Sequence, residues 1–178
     1  MTVRGMGLLM GMLVLFVVIF LLARLAKYVS AGYDVHNELV EKDNIAVAVS
    51  LAGYYLGVVI IFVGAYLGPS QGLLADLVTV GGYTLLGVLL LNIARLINEH
   101  FLLPHFSVSK ELLEDRNVGV GAILMASYLS AALVVAGAIH GQGGGLLTAL
   151  VFYAVGQVAL VVFTVIYDRT VPYSLHDE

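Results

Sequence analysis

The chain contains no cysteine. That excludes disulfides, thiolate metal sites and thiol nucleophiles, although it says nothing about compartment. Charge is nearly as scarce, with 11% of the 178 residues charged against about 25% in soluble domains. The net charge of -4 offers no basic footprint for nucleic acid. Catalytic signatures are scarce too: there is no His-Glu-x-x-His and no phosphate-binding loop, and the one Gly-x-Ser-x-Gly spacing, at Gly68 to Gly72, lies in a proline-containing break between apolar runs and not in a strand-to-helix turn. The chain therefore reads as a protein without enzymatic activity and without a cofactor. His100 and His105 with Glu99 come nearest to a metal-ligand set, but Pro104 interrupts their helical spacing, and no metal is expected there. His36 and His176 read as solvated loop histidines.

What is present is apolar. Hydrophobic residues make up 61% of the chain, and the mean hydropathy is +1.01. The few charges cluster and leave uncharged stretches at 5–23, 44–75, 77–94 and 117–167. A spanning helix needs about 20 apolar residues, so the first and third stretches hold one span each. The fourth holds two, divided at His140 to Gly145, and the second breaks at Gly68-Pro69-Ser70-Gln71-Gly72, because neither glycine-rich segment sustains a helix. The expectation is an all-α polytopic membrane protein with five spans near 6–28, 44–67, 73–98, 117–139 and 146–168. The first is expected to be retained, since no convincing small-residue cleavage site follows it.

Seven of the eight basic residues, Arg24, Lys27, Lys42, Arg95, Lys110, Arg116 and Arg169, are assigned to the first loop, the third loop or the C-terminal tail. By the positive-inside rule these segments are cytoplasmic, with the N-terminus outside and the C-terminus inside. Within the bilayer the only candidate charge is Asp76, placed at the outer interface by its nineteen-residue distance from Arg95. Gln157 is the deepest strongly polar side chain and is expected to bond a neighbouring helix.

The chain also repeats itself. Residues 33–47 and 106–120 match at Glu38 and Glu111, at Glu41 and Glu114, and at Asn44 and Asn117, while a third copy opens at Tyr173 and reaches Glu178. A glycine stands thirteen positions before an arginine in three spans: Gly11 and Arg24, Gly82 and Arg95, Gly156 and Arg169. Thirteen helical residues cover roughly 20 Å, which puts each arginine at the inner interface as an anchor. The units run 1–72, 73–145 and 146–178, in one orientation, the last being the start of a third repeat that has either decayed or continues in a longer protein. Each acidic loop is expected to carry a short amphipathic helix, with Leu39 and Val40, or Leu112 and Leu113, against lipid or protein. Asn44 and Asn117 stand where a helix needs an N-cap, and Tyr33, Phe106 and Tyr173 read as interface aromatics. Glycines at four-residue spacing, Gly7 with Gly11, Gly53 with Gly57, Gly64 with Gly68 and Gly137 with Gly141, point to close helix packing in a bundle or homo-oligomer.

The acidic loop, the Asn-Ile-Ala or Asn-Val-Gly helix start, and Ser50-Leu51-Ala52-Gly53 with Gly57 resemble the bacterial inner-membrane family of domain of unknown function 350, also called YjfL-like. The resemblance covers residues 8–140 and implies tandem two-helix units in a multi-pass bacterial inner-membrane protein, with a stress-related setting. Two functions fit. One is a non-enzymatic oligomeric scaffold in membrane lipid that docks a cytoplasmic or peripheral partner through Glu38, Glu41, Glu111 and Glu114. The alternative is a channel or passive carrier for a small cation, with the acidic loops as its vestibule.

Overall fold

The structure, a computed structural model, describes residues 3–97, 99, 107–140 and 145–170. The described residues are helical wherever they are regular. α1 (Val3–Ser30), α2 (Ile45–Tyr66), α3 (Leu73–Ile97), α5 (Val118–His140) and α6 (Leu146–Thr170) are the long helices. Between α3 and α5 lies the two-turn α4 (Val108–Leu113), and between α1 and α2 a π-helical turn, Asn37–Glu41. All five long helices are apolar and long enough to cross a membrane. The chain is accordingly described as a multi-pass membrane protein. α3 overruns its uncharged stretch by about a turn at either end and α6 by about a turn at its C-terminal end, whereas α1 continues for about two turns past its stretch, through residues 24–30.

The sequence reasons for the breaks are local. α1 ends before Gly32, whose φ of +76° lies in the left-handed region, and Gly72, at +112°, precedes α3. In that same turn the Asp76 carboxylate accepts from the Ser70 hydroxyl (2.6 Å) and the Gln71 amide (2.7 Å). Asp76 thus sits in the first turn of α3 at the end of the bundle and caps the turn before it.

The core is the α2–α5 pair. The two helices pack in parallel: contacts advance together from Ala46 against Gly121, through Gly53 against Met125, to Gly64 against Ala136. Glycine makes this approach feasible, since a Cβ on Gly121 would lie 2.4 Å from the Ala46 carbonyl oxygen and one on Gly53 2.5 Å from the Met125 Cα. Lipid gives helices no hydrophobic reason to associate, so backbone approach supplies the van der Waals contact instead. α3 packs against both, with Gly87 facing Ile61 and Leu91 against Gly57. α1 and α6 flank this core. Only 17% of the spanning window of each is buried, against 50% in α2, and both carry exposed large apolar side chains that suit lipid.

The glycines that match across α1, α3 and α6 behave differently. Gly11 and Gly156 make ordinary contacts at 3.5 to 3.7 Å, and nothing lies within 4 Å of a Cβ on Gly82, which is exposed. Gly82, read from the sequence as a helix-packing position like Gly11 and Gly156, thus has no described residue against it within one copy of the chain. Gly7 and Gly137 are equally open.

Candidate functional site

Two structures stand at the end of the bundle where α1 and α3 finish and α2 and α5 begin. The first is a clasp in each acidic loop. Asn44 caps α2, its side-chain oxygen accepting from the Val47 amide (3.2 Å), while its side-chain amide donates to the Glu38 carboxylate (3.1 Å) and to the Leu112 carbonyl (2.9 Å). Asn117 accepts from the amides of Gly119 (3.0 Å) and Val120 (3.4 Å) and donates to Glu111 (3.0 Å). The backbone follows the same course twice: the Asn44 amide donates to the Glu38 carbonyl and the Asn117 amide to the Glu111 carbonyl. Asp43 and Arg116, one residue before each asparagine, both take positive φ, 48° and 50°. The asparagine at a fixed distance from the glutamate dictates the loop, because one amide group can cap the helix and hold the acid at once.

The copies differ in burial. Glu38 and Asn44 are buried, at 4% and 1% exposure, whereas Glu111 is half-buried and Asn117 exposed. Leu112 of α4 lies over the first clasp through its bond from Asn44, and the second has no such cover among the described residues. The buried Glu38 carboxylate also forms an ion pair with Lys42 at 2.7 Å. It is therefore not a free docking group, in contrast to Glu41 and Glu114, which are exposed. Burial would push the Glu38 carboxyl up, but hydrogen bonds from Lys42 and Asn44, with the charges of Lys42 and Arg116, outweigh it and hold the group below the usual carboxylate range. A carboxyl depressed in the folded state stabilises the fold above its unfolded pKa, and that contribution is lost as pH falls through the folded value. Acidification below about pH 4.5, the ordinary glutamate value, is expected to loosen this loop first. Hydrogen exchange at the Val47 amide should accelerate on acidification in the native protein after correction for intrinsic exchange rates, and the pH at which it does so should rise when Lys42→Met removes the ion pair.

The second structure is a buried cation. Lys27 belongs to α1 rather than to the first loop, and it is 2% exposed. Arg24, one turn before it, is exposed. The expectation that Lys27 belongs to the first loop is thereby corrected: its side chain points inward among α2, α3 and α5. Its ammonium donates to the Tyr128 hydroxyl (2.8 Å) and stands 5.0 Å and 4.9 Å from the ring centres of Tyr54 and Tyr128. Tyr128 thus meets the ammonium through its hydroxyl, and the Tyr54 ring adds an aromatic contact that suits a desolvated cation. Tyr54 is itself fixed: its hydroxyl donates to the Ala23 carbonyl (3.2 Å) and accepts from Asn92 (3.2 Å), and its ring meets Tyr128 edge-on. Among the described residues the one ion pair is Lys42 with Glu38, so Lys27 has no carboxylate at bonding distance there.

Arg95 closes the end of the cluster, donating to the carbonyls of Ser30 and Ala31 and so tying the end of α3 to the end of α1. Lys27, Tyr33, Ser50, Arg95, Glu99 and Tyr128 converge on a cavity of about 20 Å³, measured as space for the centre of a water molecule. Burial pushes the Tyr33 phenol up against the pull of Arg95 and keeps it a donor. Arg169 is exposed on α6. His100, His105, Phe106, Gly141 and the third copy of the loop lie outside the described residues.

The family model described as Domain of Unknown Function (DUF350) matches residues 1–139. No curated protein and no solved structure matches the chain.

Proposed function

We propose, for a chain that belongs to the Domain of Unknown Function (DUF350) family, the role of a non-enzymatic scaffold in the bacterial inner membrane, oriented N-out and C-in, that docks a basic cytoplasmic partner. The observation that supports it is the pair of clasped loops. Each is held in shape by an internal Asn-to-Glu bond, and each leaves acids exposed, among them Glu41 and Glu114 at the equivalent place. A preformed loop loses little conformational entropy on binding, which favours docking over a merely solvating role. The tandem arrangement of two-helix units supplies two such loops at one end of a single bundle. The exposed apolar faces of α1 and α6 fit lipid or further copies in a homo-oligomer.

Replacing both Glu41 and Glu114 with glutamine is expected to abolish retention of the partner that co-purifies with the native protein while leaving insertion and melting temperature unchanged. Equal recovery of that partner with the double variant would remove the docking role. The alternative of a channel or passive carrier for a small cation gains the acidic loop rim but meets Lys27 and Arg95 directly beneath it. Two cations lining a small cavity repel a third, so passage by this route is disfavoured. Reconstituted vesicles are expected to show no cation flux above empty controls.

A further inference from the structure

We propose that the cavity beside Lys27 is a binding site for one small monovalent anion of chloride size. The docking role neither requires nor supplies this site. Its walls are rich in donors with nothing to donate to. Ser50 is 2% exposed, lines the cavity and makes no hydrogen bond through its hydroxyl among the described residues, and the Tyr33 hydroxyl likewise makes none. Tyr128 accepts from Lys27 and has no acceptor there for its own proton. These side chains border the open space of the cavity, and a hydroxyl there can donate to an occupant.

Charge selects the kind of occupant. Two cations, Lys27 and Arg95, line the space, against one carboxylate, Glu99. A water molecule would satisfy the hydroxyls but bring no counter-charge to Lys27 and Arg95, and a buried ammonium without one tends to lose its proton. A single anion satisfies both. Size narrows the class further. A volume of about 20 Å³ for the centre of a water-sized body favours one compact ion over a lipid headgroup at its inner end. The site thus brings together Lys27 from α1, Ser50 from α2, Arg95 from α3, Tyr128 from α5 and Tyr33 from the first loop.

The test is chloride binding by the full chain in nanodiscs of zwitterionic lipid, read as excess broadening of the 35Cl magnetic resonance line over empty nanodiscs. The expected result is a saturable excess that bromide competes away, with at least a tenfold loss of affinity in Lys27→Met. Ser50→Ala, a milder change in the same wall, is expected to weaken binding several-fold and guards against misfolding of the lysine variant. No excess broadening in the native protein would mean a water-filled cavity and overturn the proposal. Undiminished binding in both variants would place the anion elsewhere and overturn it equally.

Discussion

Gly121→Ala is expected to lower the melting temperature by about 5 to 10 °C, the effect of a 2 to 3 kcal/mol overpacking loss in a chain of this size. The added methyl would meet the Ala46 carbonyl oxygen at 2.4 Å. That obstacle is backbone, so no rotamer change relieves it, and the whole of α2 has to move away from α5. Gly53→Ala is expected to act in the same way against the Met125 backbone at 2.5 Å. Gly82→Ala is the contrasting case. Its Cβ would meet nothing within 4 Å, and in a helix interior alanine is favoured over glycine by about 0.5 to 1 kcal/mol. Thermal melts of the three variants in one detergent check this. A Gly121→Ala protein melting within a degree of the native one would contradict the parallel α2–α5 contact.

Asn44→Ala is expected to cost about 3 kcal/mol, and its counterpart Asn117→Ala about 1 kcal/mol. Either loss includes a helix cap, worth roughly 1 kcal/mol. Asn44 loses more because its amide also serves the buried Glu38 carboxylate and the Leu112 carbonyl, groups left without that donor when it goes. The exposed Asn117 and its half-buried partner Glu111 can turn to water. Asn44→Asp would keep an oxygen for the cap but put a second carboxylate against Glu38, and should be at least as damaging. Denaturant titrations of the paired variants measure the difference. Equal losses at the two positions would mean that burial by Leu112 contributes nothing.

The long helices were legible because the bilayer requirement is written into composition: uncharged runs of membrane length divided by glycine and proline have few alternative structures. The clasps were legible in part. A cap is a local device, so an asparagine at a helix start can be read from sequence, and Asn44 does cap α2. That the same amide would also reach Glu38 and a carbonyl 68 positions away could not be read, because it depends on where α4 comes to rest. Lys27 was illegible for a related reason. A lysine just past an uncharged run looks like a boundary residue whose head reaches water, as Arg24 remains. Only the helix rotation distinguishes them: at about 100° per residue, side chains three positions apart lie about 60° from each other, so a modest rotation of the helix decides which one faces the bundle. The aromatic residues carried the available signal: Tyr54 and Tyr128 are rare hydroxyl-bearing side chains in otherwise apolar helices, and each is nearly completely buried. Glycine spacing was a partial guide. Spacing identifies a small-residue face but not whether another helix meets it, hence the difference between Gly53 and Gly82.

The central claim is that α1 turns Lys27 into the bundle, and the chain is suited to a direct test because it has only three lysines, at 27, 42 and 110. Lys42 and Lys110 are exposed. Amine-reactive labelling of the native protein in nanodiscs, followed by peptide mass spectrometry, should modify Lys42 and Lys110 rapidly and spare Lys27 until the protein is denatured. Labelling of Lys27 at the rate of Lys42 in the folded protein would place it at the surface and contradict the site described here.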